Sequence, residues 1–128
     1  TIDMLTRYAI ECQQQGIKPQ RIILTFSPCG SMKTLEFIEW LGVSVPEATS
    51  LRILNAERPL YESIRICSNT LVQILDAVLP YKVPFGPNIK SLTNRKEEID
   101  GSILLYKLLR STMDNYLAKK ELSGLFTD

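Results

Sequence analysis

A single strand-to-helix unit constrains the fold of this chain more than any other part of its sequence. Residues 21–42 read RIILTFSPCGSMKTLEFIEWLG. The apolar run at 22–26 is typical of a buried β-strand, the short loop at 27–30 ends it, and an amphipathic helical pattern follows at once. This strand–loop–helix unit is the building block of α/β folds, in which ligands bind at the carboxyl ends of the strands. We therefore expect an α/β fold with a candidate ligand site at this loop.

The remainder of the chain contains more helical than strand patterns. Apolar residues at three- and four-residue spacing predict five helices, at 2–15, 31–41, 46–54, 59–79 and 94–120. Short extended segments are predicted at 43–45 and 83–86, and a loop at 87–93. The order of these elements predicts one α/β domain over residues 1–122, with a frayed tail at 123–128.

Further expectations concern burial and capping. Because residues 21–26 are mostly apolar, we expect the strand to be covered on both faces, as in a parallel sheet. Asn94 is predicted to cap the last helix, with Glu97 completing a capping box. The apolar residues of that helix are expected to face the core, namely Ile99, Ile103, Leu104, Tyr106, Leu108 and Leu109.

The composition excludes several classes of function. The 15 basic and 14 acidic residues leave a net charge of +1, so no basic surface indicates nucleic acid or an anionic membrane. The absence of histidine removes the commonest general base and metal ligand. Cys12, Cys29 and Cys67 have no metal-ligand spacing, so no metal site is predicted and a reducing, cytoplasmic compartment is favoured. No apolar run approaches the roughly 20 residues of a membrane span.

A series of short motifs recurs in the order of a known family. The motifs are Leu5-Thr6-Arg7-Tyr8, Cys12 with Gly16-Ile17, Arg21-Ile22-Ile23-Leu24, Pro28, the helix 33–41, Val43-Ser44-Val45-Pro46, the long helix at 59–79, and Asn94-Arg95. In their order and in their amino-acid sequence they resemble the C-terminal part of the methylenetetrahydrofolate reductase family. The resemblance covers roughly residues 1–112.

The resemblance implies both a fold and a chemistry. The family is a flavin-containing (β/α)8 barrel, so the chain is expected to form a partial TIM barrel made of C-terminal strand–helix units. A complete barrel needs about 250 residues, so we expect a fragment that pairs with the missing N-terminal part of the barrel or forms a homo-oligomer. The implied enzyme is an FAD-dependent oxidoreductase of one-carbon metabolism, and its catalytic set is incomplete in this chain, which is expected to be inactive by itself.

The resemblance also bears on how folate would be held. Family members stack an aromatic side chain on the folate just after the Val-x-Val-Pro step. Residues 47–60 contain no aromatic side chain, and Tyr61 is the first candidate.

The first candidate ligand site is the loop after the strand, with Ser27, Cys29, Gly30 and Ser31. Gly30 allows close approach, and the N-terminus of the following helix favours a phosphate or carboxylate. The alternative is an ordinary strand-to-helix turn with a serine cap. Cys29 lacks a histidine partner within the chain, so a passive loop residue is favoured over a nucleophile.

The second candidate ligand site follows the last predicted strand. Phe85, Gly86 and Asn88 are expected to border the same face as the first loop, and Arg95 is placed to meet an anion there. The alternative is a Gly-Pro-Asn turn selected for its backbone, with Arg95 on the surface.

Two other functions remain open on the sequence alone. The chain fits a non-catalytic α/β module that works by association, with Phe37 and Trp40 as candidates for packing against a partner. It also fits a barrel relative that binds another small anionic ligand at residues 27–31.

Overall fold

Five helices and two strands make up the described part of the chain. The computed structural model describes residues 2–126, with side chains as far as Glu121. The elements are α1 (Ile2–Gln15), β1 (Ile22–Phe26), α2 (Met32–Trp40), α3 (Glu47–Leu54), α4 (Pro59–Val78), a 3-10 turn (Leu79–Tyr81), β2 (Phe85–Ile89) and α5 (Lys96–Phe126). The helices predicted at 2–15, 46–54 and 59–79 are confirmed to within one residue at each end.

The two strands form a single parallel sheet, and this finding overturns the predicted barrel. β1 pairs with β2 from Ile22 opposite Phe85 to Phe26 opposite Ile89. The segment 43–45, predicted to be extended, belongs to no strand. Because a (β/α)8 barrel needs eight strands, the two strands found in residues 2–126 do not make the predicted barrel. The described chain is a small, helix-rich α/β domain.

The position of β2 also corrects the predicted strand. It begins at Phe85, two residues later than predicted, and continues through residues expected to form a loop. Pro87 lies opposite Leu24. A proline is tolerated there because in a two-stranded sheet each strand is an edge strand, so its missing N–H can face the unpaired side.

The sheet is covered by helices on one face only. Ile22, Leu24 and Phe26 point to the core, and Phe26 is 8% exposed. Ile23 is 62% exposed on the other face, where Thr25 is also exposed and accepts a hydrogen bond from Asn88 Nδ2 at 3.3 Å. The expectation that β1 is buried on both faces is therefore wrong for the described chain.

Three helical segments end in the same left-handed turn. After α1, Gly16 (φ 67°) donates to Gln13 O and Ile17 N–H donates to Cys12 O at 2.9 Å. This is the Schellman pattern, which satisfies carbonyls at a helix end. Gly42 (φ 92°) ends α2 in the same way, and Lys82 (φ 56°) follows the 3-10 turn.

Helix α4 supplies the centre of the core. Leu71, Leu75 and Val78 are fully buried, as are Leu105 and Leu109 of α5, which pack against them. Each such side chain contributes about 1.5–3 kcal/mol by burial. α1 covers another side of α4 and the 3-10 turn, so the core is mainly helix on helix.

Helix α5 faces the core with a different stripe from the one predicted. Its buried positions are Glu98, Gly101, Leu105 and Leu109. Of the six apolar residues expected in the core only Leu109 is buried, and the other five are 37–53% exposed: Ile99, Ile103, Leu104, Tyr106 and Leu108. The helix carries apolar residues around much of its circumference, so periodicity alone did not identify the face that contacts α4.

The C-terminal part of α5 extends beyond the predicted end at residue 120. The helix continues to Phe126. Residues 127 and 128 of the predicted tail lie outside the described residues, so the tail stays a prediction. Within residues 2–126, none of the helices combines the length and the apolar character needed to cross a bilayer.

Shortening a buried side chain between α4 and α5 is expected to destabilise the domain strongly. Leu105→Ala removes a fully buried side chain and leaves a cavity, so the free energy of unfolding should fall by about 2–5 kcal/mol. Leu108→Ala, at a position 37% exposed on the same helix, should cost under about 1 kcal/mol. Urea denaturation followed by circular dichroism measures both, and equal losses would contradict the assigned core face.

Candidate functional site

A cleft of about 410 Å³ lies where the first turns of three helices meet. Gly30 and Ser31, just before α2, form one wall. Residues 58–61 at the start of α4 form a second, and residues between 95 and 104 at the start of α5 form a third. Helix N-termini carry partial positive charge and unpaired N–H groups, so three of them make this cleft receptive to polar ligands.

The floor of the cleft depends on two glycines that hold Leu60 between them. A methyl group at Gly30 would lie 3.2 Å from Leu60 Cβ, and one at Gly101 would lie 3.1 Å from Leu60 Cδ2. Both distances are tighter than ordinary van der Waals contact, so a larger residue would displace Leu60. The close approach predicted for Gly30 is therefore made to a side chain of the protein.

A buried carboxylate joins two walls of the cleft. Glu98 is 3% exposed, and its two oxygens accept hydrogen bonds from the hydroxyls of Thr34 and Thr93, each at 2.5 Å. Among residues 2–121, one ion pair has its nitrogen and oxygen within 4.0 Å, and it joins Arg52 to Glu62. Within these residues Glu98 therefore has no cationic partner. Hydroxyl donors thus stabilise a charge that is costly to bury.

The hydrogen bonds of Arg95 and Ser31 extend this network across the cleft. Arg95 Nη1 donates to Ser31 Oγ at 3.1 Å, and the Arg95 backbone N–H donates to Thr93 Oγ1 at 3.4 Å. Ser31 Oγ accepts from the backbone N–H of Thr34 at 3.3 Å, which confirms Ser31 as the cap of α2. Together with Glu98 these residues fix the start of α5 against the start of α2.

The residues predicted to cap α5 each lie one position away from the residues that make the observed hydrogen bonds. The sequence pattern placed the reciprocal cap on Asn94 and Glu97. In the structure Thr93 accepts from the Arg95 N–H and donates to Glu98. Polar residues adjoin one another here, so the pattern identified the helix start but not the residues that bond.

The wall formed by α4 has a different chemistry. The Arg58 guanidinium lies 5.6 Å from the centre of the Tyr61 ring, within cation–π range. Tyr61 is 52% exposed, and Arg58 is the N-cap residue of α4 without a side-chain capping bond. Arg58, Tyr61 and Leu60 thus present a cation, an aromatic ring and an apolar surface to the cleft.

The two cysteines beside the cleft both have raised thiol pKa values. Burial raises the pKa of the Cys29 thiol, opposed by its hydrogen bond to the Ser31 carbonyl and reinforced by the nearby charge of Glu98. Burial, with a smaller effect of Cys29, raises the pKa of Cys67 to about 11. Thiolate is the nucleophilic form, so neither cysteine is poised for attack at neutral pH.

Three residues predicted as ligand contacts line this cleft together: Gly30, Ser31 and Arg95. Cys29 is buried behind it, where its backbone N–H donates to Ser63 Oγ at 2.9 Å. The carbonyl of Ser27 accepts a weak bond from Cys67 Sγ at 3.9 Å. The roles of these residues in ligand binding stay predictions.

The second group of predicted residues lies elsewhere. Phe85, Gly86 and Asn88 belong to strand β2, paired with β1, and do not line the cleft. Of the four residues predicted to border the first loop from this side, Arg95 lines the cleft and these three do not. The shift of β2 by two residues accounts for the difference.

Sequence reasoning did not assign several cleft residues to the site. Arg58, Glu98, Asp100 and Gly101 all line it. The three charged residues lie close to helix N-termini, where charged residues are common for reasons of capping alone, so their types carried no distinguishing signal.

Comparison with known proteins finds a similar solved structure. No protein-family profile matches the chain, and no curated protein sequence matches it. Among solved structures, an uncharacterized protein from Clostridium thermocellum that binds two copies of 5-methyl-5,6,7,8-tetrahydrofolic acid is similar, with a TM-score of 0.74 and 34% sequence identity. The alignment covers 87% of this chain and 38% of that protein, so this chain spans well under half of its neighbour's length.

Loss of one hydroxyl donor to Glu98 should destabilise the fold. Thr34→Val leaves a carboxylate oxygen buried without its hydrogen bond, and the free energy of unfolding should fall by about 2 kcal/mol. Thr6→Val, which removes a hydroxyl bonded to its own helix at Ile2 O, should change it by about 0.5 kcal/mol or less. If denaturant titration gives equal losses for the two variants, the network does not stabilise the fold as argued.

Alkylation of Cys67 should be slower in the folded protein than in the unfolded chain. Folding favours the protonated thiol, so this contribution to stability is present in full below the ordinary pKa of 9.0 and is lost as pH rises toward about 11. At pH 8 the native protein should react with iodoacetamide at Cys67 at least about tenfold more slowly than the urea-unfolded chain. Peptide mass mapping reads each site separately, and similar rates in both states would contradict the assignment.

Proposed function

We propose that this chain binds a reduced folate of the 5-methyltetrahydrofolate type in the cleft formed by α2, α4 and α5. The observation that carries the proposal is the 34% identity, over 87% of this chain, to a protein that binds 5-methyltetrahydrofolate. The volume of the cleft, about 410 Å³, falls within the range of roughly 300–1,000 Å³ for small-molecule sites.

The chemistry of the cleft suits the parts of such a ligand. A reduced folate combines a pterin that donates and accepts hydrogen bonds, an aromatic linker and a dianionic glutamate. The cleft offers three carboxylates (Glu97, Glu98 and Asp100) and two guanidiniums for the polar ends, with Leu60 and Leu104 as apolar surface for the rings. Tyr61, the first aromatic residue after the Val-x-Val-Pro step, supplies a ring for stacking.

The reductase chemistry implied by the family resemblance remains a separate proposal. It requires an FAD beside the folate, whereas folate binding does not. The visible absorption of the purified protein distinguishes the two, since an oxidised flavin is yellow. A colourless protein that binds 5-methyltetrahydrofolate supports folate binding and opposes the flavin-dependent activity.

Binding is tested by isothermal titration of the purified chain with 5-methyltetrahydrofolate. Tyr61→Ala should weaken binding by about tenfold, because the ring is expected to stack on the ligand. Tyr106→Ala is a matched control, since Tyr106 is 50% exposed against 52% for Tyr61 but lies outside the cleft. It should bind like the unaltered protein.

Two results would contradict the proposal in different ways. Absence of heat and of saturable binding in the unaltered protein opposes folate binding by this chain. Binding that Tyr106→Ala weakens more than Tyr61→Ala opposes this cleft as the site.

A further inference from the structure

We propose that the cleft binds a reduced folate in one orientation, with the pterin against Glu98 and Arg95 and the glutamate tail at Arg58. This inference rests on the proposed folate binding and goes beyond it by assigning each end of the ligand to a wall. It follows from the different chemistry of the two walls.

The wall between α2 and α5 presents an acceptor and a donor close together. Thr34 bonds both to Ser31 and to Glu98, and Arg95 bonds to Ser31. The pyrimidine edge of a pterin carries the matching set: a ring N–H and an exocyclic amino group as donors, beside a carbonyl acceptor. A carboxylate can accept from the two donors while a guanidinium donates to the carbonyl.

The burial and the hydrogen bonds of Glu98 favour a ligand with such donors. Its carboxylate is 3% exposed and lines the cleft, and each oxygen accepts one hydroxyl bond, which leaves lone pairs for further donors. With no cation within 4.0 Å among residues 2–121, additional donors from a ligand would lower the cost of its burial.

The α4 wall suits an anion. Arg58 is exposed beside Tyr61, and the first turn of the 20-residue α4 has no side-chain cap. A carboxylate there can bind the guanidinium and lie near the positive end of the helix.

The reverse orientation places like charges together. It would bring the two carboxylates of the tail toward the N-terminal part of α5, where Glu97, Glu98 and Asp100 line the cleft. Like charges at short range repel most strongly where water is scarce, as beside buried Glu98. The acidic residues therefore select the pterin end.

The test uses three probes with the full chain: 5-methyltetrahydrofolate, a tetrahydropterin without a tail, and p-aminobenzoylglutamate without a pterin. Ligand-observed NMR measures the weaker fragments and calorimetry the full ligand. Arg58→Gln should weaken 5-methyltetrahydrofolate and p-aminobenzoylglutamate by about tenfold and leave the tetrahydropterin unchanged. Arg95→Gln and Glu98→Gln should weaken 5-methyltetrahydrofolate and the tetrahydropterin and leave p-aminobenzoylglutamate unchanged.

The controls separate this inference from folding and from folate binding itself. Arg110→Gln removes an exposed arginine outside the cleft and should bind all probes normally. Arg95 is exposed, so its variant tests the pterin wall even if Glu98→Gln unfolds. The opposite pattern of losses, or equal losses for all probes, overturns the orientation alone. Failure of the unaltered protein to bind 5-methyltetrahydrofolate overturns the proposed function as well.

Discussion

The packing of α4 against α1 and α5 is the interaction on which the rest of the domain depends. A two-stranded sheet has little stability of its own in water. Here the sheet is held because one of its faces rests on the same apolar cluster as Leu71, Leu75 and Val78 of α4. The same helix carries Leu60 and Tyr61 to the cleft at its N-terminal end. The core and the cleft therefore both depend on α4, which contributes residues to each.

The buried carboxylate of Glu98 has a comparable place within the site. Its two hydroxyl donors come from α2 and from the segment before α5, so one charged group ties together two walls that are more than 60 residues apart in sequence. An apolar core residue could also hold these elements, and at lower cost in desolvation. The position of this carboxylate on the cleft wall agrees with the proposal that it accepts hydrogen bonds from a ligand.

Much of the local structure could be predicted from the spacing of apolar residues and from the residues that cap or end helices. Gly16 and Gly42 end helices because only glycine adopts their left-handed backbone without strain, and Ser31 caps α2 because its hydroxyl can reach Thr34 N–H. The candidate loop places Gly30 and Ser31 on the wall of the cleft, and their role in ligand binding stays a prediction. The barrel was wrong because a resemblance between segments does not establish how many strands pair.

Local sequence patterns specify where most helices begin and end, since capping and apolar spacing act within a few residues. Long-range packing specifies which face of α5 is buried, that residues 2–126 form a two-stranded sheet, and that Arg58, Glu98 and Gly101 join Gly30 around one cleft. These outcomes depend on contacts between residues far apart in the chain. A helix with apolar residues on several faces, such as α5, fits more than one partner, and packing against α4 selects among them.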